Sequence, residues 1–94
     1  MNELTRIQRD LLYVIAGRDE PTVLTIKRTL EGYYDADVDH GRLYPNLDAL
    51  SESGLVEKVE HGSRTPHYTL TDRGHREIEA RHDWESQYVD FSEG

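Results

Sequence analysis

Up to Gly54 the apolar residues keep a helical period; after it they alternate in short runs, and this one change restricts the chain to an α-rich fold with a small β element. Leu4, Ile7, Leu11, Val14 and Ile15 predict a first helix over residues 4–17, stopping near Gly17. A polar turn follows, ending in Pro21. Val23, Ile26, Leu30, Tyr33 and Tyr34 predict a second helix over residues 22–33, with Gly32 at its frayed end. Residues 35–39 hold three aspartates in five positions and read as a loop. Leu43, Leu47 and Leu50 predict a third helix over residues 40–53, closed by Gly54 at a C-cap. Residues 55–60 and 67–70 then read as two strands of a hairpin spanning 55–70, with residues 61–65 as its turn. Thr71 is placed as the N-cap of a last helix over residues 71–88, whose first turn Gly74 weakens.

Three helices, a two-stranded ribbon and a closing helix form the layout of a winged helix-turn-helix, mainly α with one small hairpin. The 94 residues are expected to make a single domain, 1–94. Cysteine is absent, which excludes disulfides, thiolate zinc sites and thiol redox switches. With no bilayer-length apolar run and no basic-then-apolar leader, the expectation is a cytoplasmic protein with no membrane partner.

Nineteen acids against eleven bases give a net charge of −8, which on its face argues against a nucleic-acid partner. The bases, however, are arginines except for Lys27 and Lys58. Acid-rich, lysine-poor chains resemble proteins of salt-loving cells, where molar salt screens charge within about 3 Å. Local placement then matters more than the total. Residues 71–94 carry −4 and residues 35–39 carry −3, whereas residues 21–34 carry +1 and residues 55–70 are neutral.

On a helical wheel Leu43, Leu47 and Leu50 face inward, while Gly41, Pro45 and Ala49 share an outward face of little bulk that lets the backbone approach a groove floor. Arg42 and Tyr44 flank that face, with His40 at the helix start. Arginine reaches guanine O6 and N7 bidentately, and tyrosine stacks or bonds a phosphate. Asn46 lies nearer the core edge and ranks lower as a base reader. At the start of the second helix Thr25 and Arg28 point outward for phosphate contacts, with Lys27 bordering the core. Ser63, Arg64 and Thr65 form a hairpin tip suited to a minor groove or a phosphate. His75, Glu79 and His82 share a helix face but lack an obvious fourth ligand, so neither a metal nor any cofactor is expected. No nucleophile elbow and no phosphate-binding Gly-rich loop is present, and an enzyme is not expected.

The run Gly41-Arg42-Leu43-Tyr44-Pro45-Asn46-Leu47, then Leu50, Gly54-Leu55-Val56, and Tyr68-Thr69-Leu70-Thr71-Asp72-Arg73-Gly74 resembles the PadR-like transcriptional regulators, and over residues 4–85 the chain is similar to their small acidic haloarchaeal members. The early Gly-Tyr pair common in that family is replaced here by Val23-Leu24, and the last helix is short. The resemblance implies a dimeric winged-helix repressor of operator DNA, with the third helix in the major groove, the wing on the backbone or minor groove, and the last helix building the dimer.

The residues also carry a dimer reading. Ile78, Trp84, Tyr88 and Phe91 are large apolar groups on a tail too short to fold back over its own core, and the Leu4, Ile7 and Leu11 stripe of the first helix would join them. Double-stranded DNA and a second copy of the chain are therefore the expected partners, and no small-molecule ligand is identifiable. The alternative is a winged-helix protein-interaction module without DNA binding; Arg42, Tyr44 and Arg64 together favour DNA.

Overall fold

The computed structural model describes residues 4–62 and 64–89. The first helix, α1 (Arg6–Gly17), opens on a capping box: the Thr5 hydroxyl accepts from the Gln8 amide at 3.2 Å, and the Gln8 side chain accepts from the Thr5 amide at 3.1 Å. Its inner face is Ile7, Leu11, Leu12 and Ile15. Helix α2 (Val23–Tyr34) starts at the Thr22 cap and buries Val23, Ile26 and Leu30. It does not fray at Gly32. The helix runs through that residue to Tyr34, and Asp35 ends it in the left-handed region at φ 57°, its amide bonding the Glu31 carbonyl at 2.8 Å. Aspartate takes that conformation more readily than most residues because its short polar side chain can bond locally.

The acidic segment after α2 is more than a solvated loop. Val38 is buried in the core, its amide donates to the Glu31 carboxylate at 2.9 Å, and Asp39 caps α3 (His40–Glu52) by accepting from the Gly41 amide at 3.0 Å. Helix α3 buries Leu43, Leu47 and Leu50 and holds Pro45 beyond its first turn. The missing proline N–H leaves the Gly41 carbonyl without its intrahelical donor at an exposed residue, where solvent can reach it.

Past Gly54, at φ 77°, strand β1 (Val56–Val59) pairs antiparallel with β2 (His67–Leu70), from Val56 opposite Leu70 to Val59 opposite His67. Tyr68 turns inward and is almost fully buried, and its amide bonds the Pro21 carbonyl at 3.0 Å, tying the ribbon to the turn before α2. Helix α4 (Asp72–Ser86) closes the order. Its cap, Thr71, donates its hydroxyl to the Gly54 carbonyl at 2.6 Å and its amide to the Leu55 carbonyl at 3.1 Å.

One core joins α1, α2, α3 and the ribbon, with Leu11, Leu12, Ile26, Leu30, Leu43, Leu47 and Leu50 fully enclosed. Each such side chain contributes about 1.5–3 kcal/mol by leaving water. This corrects the expected dimer set: Leu11 is 0 % and Ile7 8 % exposed within one chain, so neither presents a surface for a second copy to cover. No helix among the described residues is long and apolar enough to cross a membrane.

Candidate nucleic-acid interface

The N-terminal half of α3 carries an exposed set of polar and small side chains over its buried leucines. His40, Gly41, Arg42, Tyr44 and Pro45 are all exposed, and the His40 and Tyr44 rings stack at 5.9 Å with an interplanar angle of 22°. Stacking holds the tyrosine against His40 in the first turn of the helix, while the Asp39 carboxylate lies over Gly41, 3.4 Å from where a Cβ would stand. Ala49, further along, is only partly exposed.

Asn46 is already tied into the fold. Its amide nitrogen donates to the Arg42 carbonyl at 2.6 Å and its oxygen accepts from the Gln8 side chain at 3.0 Å. The residue is a tie between α1 and α3 that fixes how α3 sits on the core. Both ends of its amide are used, so recruiting it to DNA would break two bonds worth about 1 kcal/mol each.

Near the start of α2, Thr25 and Arg28 are exposed. Lys27 is not available in the same way: its ammonium pairs with Glu31 at 2.7 Å, one turn on, and is mostly covered. Glu31 also accepts from the Val38 amide, and these bonds, Lys27 first, hold its carboxyl below the usual range. Lys27 therefore anchors the segment leading into α3.

In the wing, the Arg64 amide bonds the His61 carbonyl at 3.1 Å, Gly62 takes a positive φ of 62°, and Arg64 and Thr65 are exposed. Ser63 lies outside the described residues, as does Phe91 of the expected dimer set. His75, Glu79 and His82 do not form a metal-holding cluster; none occurs among the described residues.

Residues 11–80 match the profile of the transcriptional regulator PadR-like family, which takes in α2, α3, the ribbon and most of α1 and α4. The chain belongs to that family. PadR-like proteins are transcription regulators, not enzymes. Among solved structures, H. salinarum RosR is 41 % identical with a TM-score of 0.88, the match covering 98 % of this chain and 83 % of that one. The winged-helix DNA-binding protein of STIV matches at 22 % identity and TM-score 0.76, over 97 % of this chain and 100 % of that one. Bacillus subtilis PadR in complex with operator DNA matches at 22 % identity and TM-score 0.67, over 96 % and 53 %. These likenesses establish a winged-helix fold for this PadR-like chain. No curated protein sequence matches it.

The PadR-like frame also holds a basic residue that the sequence reading passed over. Arg6, the first residue of α1, lines a recess with Thr5, Tyr34 and Arg42. The signal was the Thr5-x-x-Gln8 capping box, which places Arg6 at the exposed head of the helix.

Proposed function

We propose that this PadR-like regulator binds operator DNA as a homodimer, placing the N-terminal half of α3 in the major groove and the wing tip on the adjoining backbone or minor groove, and that it acts as a repressor. The observation that carries the reading is the exposed α3 start: Arg42 and Tyr44 both stand exposed in its first turns, on a helix held from behind by Leu43, Leu47 and Leu50. An arginine there suits guanine, and the first turns of a recognition helix are where base edges are met. Thr25 and Arg28 supply backbone contacts beside the first turn of α2, and Arg64 and Thr65 do so from the wing. The operator complex of Bacillus subtilis PadR and the DNA-binding protein of STIV support the class of partner.

The dimer reading rests on α4. Trp84 is 50 % and Tyr88 70 % exposed on one chain, their rings in contact at 5.1 Å. Ile78 and Leu4, both partly buried, line a groove of about 350 Å³ between α1 and α4 together with Arg9, Tyr13, Glu77 and Arg81. A second copy covering that surface would bury it twice and set two α3 helices about one DNA turn apart, roughly 34 Å. DNA as the partner places the protein in the cytoplasm, and the lysine-poor acidic surface fits a salt-rich one.

The test is selection from a random duplex pool at high potassium chloride, followed by footprinting. A two-fold symmetric site protected over two half-sites supports the reading. Failure to enrich any sequence, with the protein folded, overturns it.

A further inference from the structure

The head of α1 meets the head of α3 in a recess of about 380 Å³ lined by Thr5, Arg6, Ile7, Tyr34 and Arg42. Arg6 lies over the Tyr34 ring, its guanidinium carbon 5.3 Å from the centroid, and the Tyr34 hydroxyl is turned away to donate to Asp10 at 2.5 Å. The Asp10 carboxylate is thereby held at the tyrosine hydroxyl and does not line the recess. Arg6 and Arg42 are both exposed, and neither forms an ion pair among the described residues. In a chain with a net charge of −8, two guanidiniums lining one recess without an ion pair among the described residues concentrate positive charge there. The first-turn amides of α1 add to it, because a helix N-terminus carries partial positive charge and free N–H groups.

We propose that this recess is a phosphate subsite that takes one backbone phosphate of the bound DNA, gripped by Arg6 from α1 beside the base that Arg42 reads from α3. The proposal rests on the DNA-binding reading above. It adds to that reading a contact from α1. Tyr34 acts as the platform: its ring carries the Arg6 guanidinium, and its bond to Asp10 fixes the ring. An arginine laid against a ring loses little further freedom on binding, which suits a fork-shaped donor to a phosphate's oxygens. A contact of this kind fixes register along the duplex and carries no sequence information.

The experiment uses the full chain and the operator obtained by selection, with affinity measured across a potassium chloride series for wild type, Arg6→Gln and Arg6→Lys. Arg6→Gln is expected to weaken operator and unrelated duplex by the same factor and to make the log–log salt slope less negative by about 0.9, the value for one neutralised phosphate. Arg6→Lys, which keeps the charge, is expected to hold the wild-type slope. A scan of neutral methylphosphonate linkages should locate one position that costs wild type affinity and costs Arg6→Gln nothing more. Wild-type affinity and slope in Arg6→Gln, or a scan with no such shared position, overturns the subsite while leaving DNA binding intact. A wild type that selects no sequence overturns the parent reading and this one with it.

Discussion

A methyl group on Gly74 would lie 2.1 Å from the carbonyl oxygen of Leu55. The first turn of α4 is thus pressed against the backbone that leads into β1, at the point where Thr71 reaches the Gly54 and Leu55 carbonyls. The run Leu70-Thr71-Asp72-Arg73-Gly74 is a joint: threonine caps the helix and ties it down, and glycine three residues later allows the approach. Gly74→Ala should cost about 1–3 kcal/mol or more, because a carbonyl oxygen cannot move aside as a flexible side chain can. Gly32→Ala is the control. It sits inside α2 with nothing within 4 Å of the added carbon and should stabilise by about 0.5–1 kcal/mol. Urea denaturation of the two variants checks the contrast, and equal midpoints would mean the joint is loose.

The element order was legible because apolar period is a strong signal, and the wheel that separates Leu43, Leu47 and Leu50 from Arg42 and Tyr44 matches their observed burial. What was hidden follows from finer causes. Gly32 looks like a helix end by propensity, yet packing of Leu30 and Tyr34 on either side carries the helix past it. The aspartates at 35 and 39 read as charge, but each ends or starts a helix. Ile7 and Leu11 belong to the same broad stripe as Leu12 and Ile15, and no spacing rule divides such a stripe between a chain's own core and a partner. Asn46 was ranked by its wheel position; its bond to Gln8 depends on α1 lying against α3, which only the tertiary structure supplies.

Arg42 and Arg64 should respond differently to truncation. Arg42→Ala is expected to lose about 1–3 kcal/mol for the selected site and to relax discrimination at one base position, since a bidentate base contact is removed. Arg64→Ala should weaken all duplexes evenly. Competition binding with single-base variants of the operator separates the two patterns. Unchanged affinity and preference in Arg42→Ala would place α3 outside the groove.

The dimer reading predicts that Ile78→Ala and Trp84→Ala together shift the sedimentation boundary at high salt from dimer to monomer at micromolar concentration. Trp84 is half exposed on one chain and Arg81 lies over its ring at 4.8 Å, so its loss falls on the partner contact more than on the chain's own core, against which Ile78 also packs. A wild type that sediments as a monomer, or a double variant that stays dimeric, contradicts the pairing through α4.

Burial, then the bond to Asp10 and its charge, push the Tyr34 hydroxyl up to about 12, with Arg6 and Arg42 opposing. A tyrosine in the unfolded chain ionises near pH 10. Between these values the folded state keeps a proton that the unfolded state has released, so the stabilisation is whole below about pH 10 and disappears as pH rises to about 12. Tyr34→Phe has no such proton. Its stability, followed by urea denaturation, should fall less than that of wild type across this window. Parallel curves would mean that the hydroxyl gains nothing from Asp10.

Salt should act on this protein in an unusual direction if the acids near α3 share the DNA interface. Ordinary binders release counterions, and affinity falls by a log–log slope of about −0.9 per phosphate neutralised. Here Asp35, Asp37 and Asp39 lie directly before α3, and Asp48 within it is exposed. Carboxylates brought near phosphates repel at low salt, and cations taken up between them relieve the repulsion. Uptake subtracts from release, so the net slope is expected to be shallow, or positive over part of the range. Changing Asp35, Asp37 and Asp39 to asparagine tests this with little disturbance to the fold. Asparagine suits the left-handed position that Asp35 holds and caps a helix as well as the aspartate at 39 does. The triple variant should therefore fold as wild type does and show a steeper negative slope between moderate and molar potassium chloride. A steep slope already present in wild type, or no steepening in the variant, would make these acids a solubility coat with no part in DNA binding.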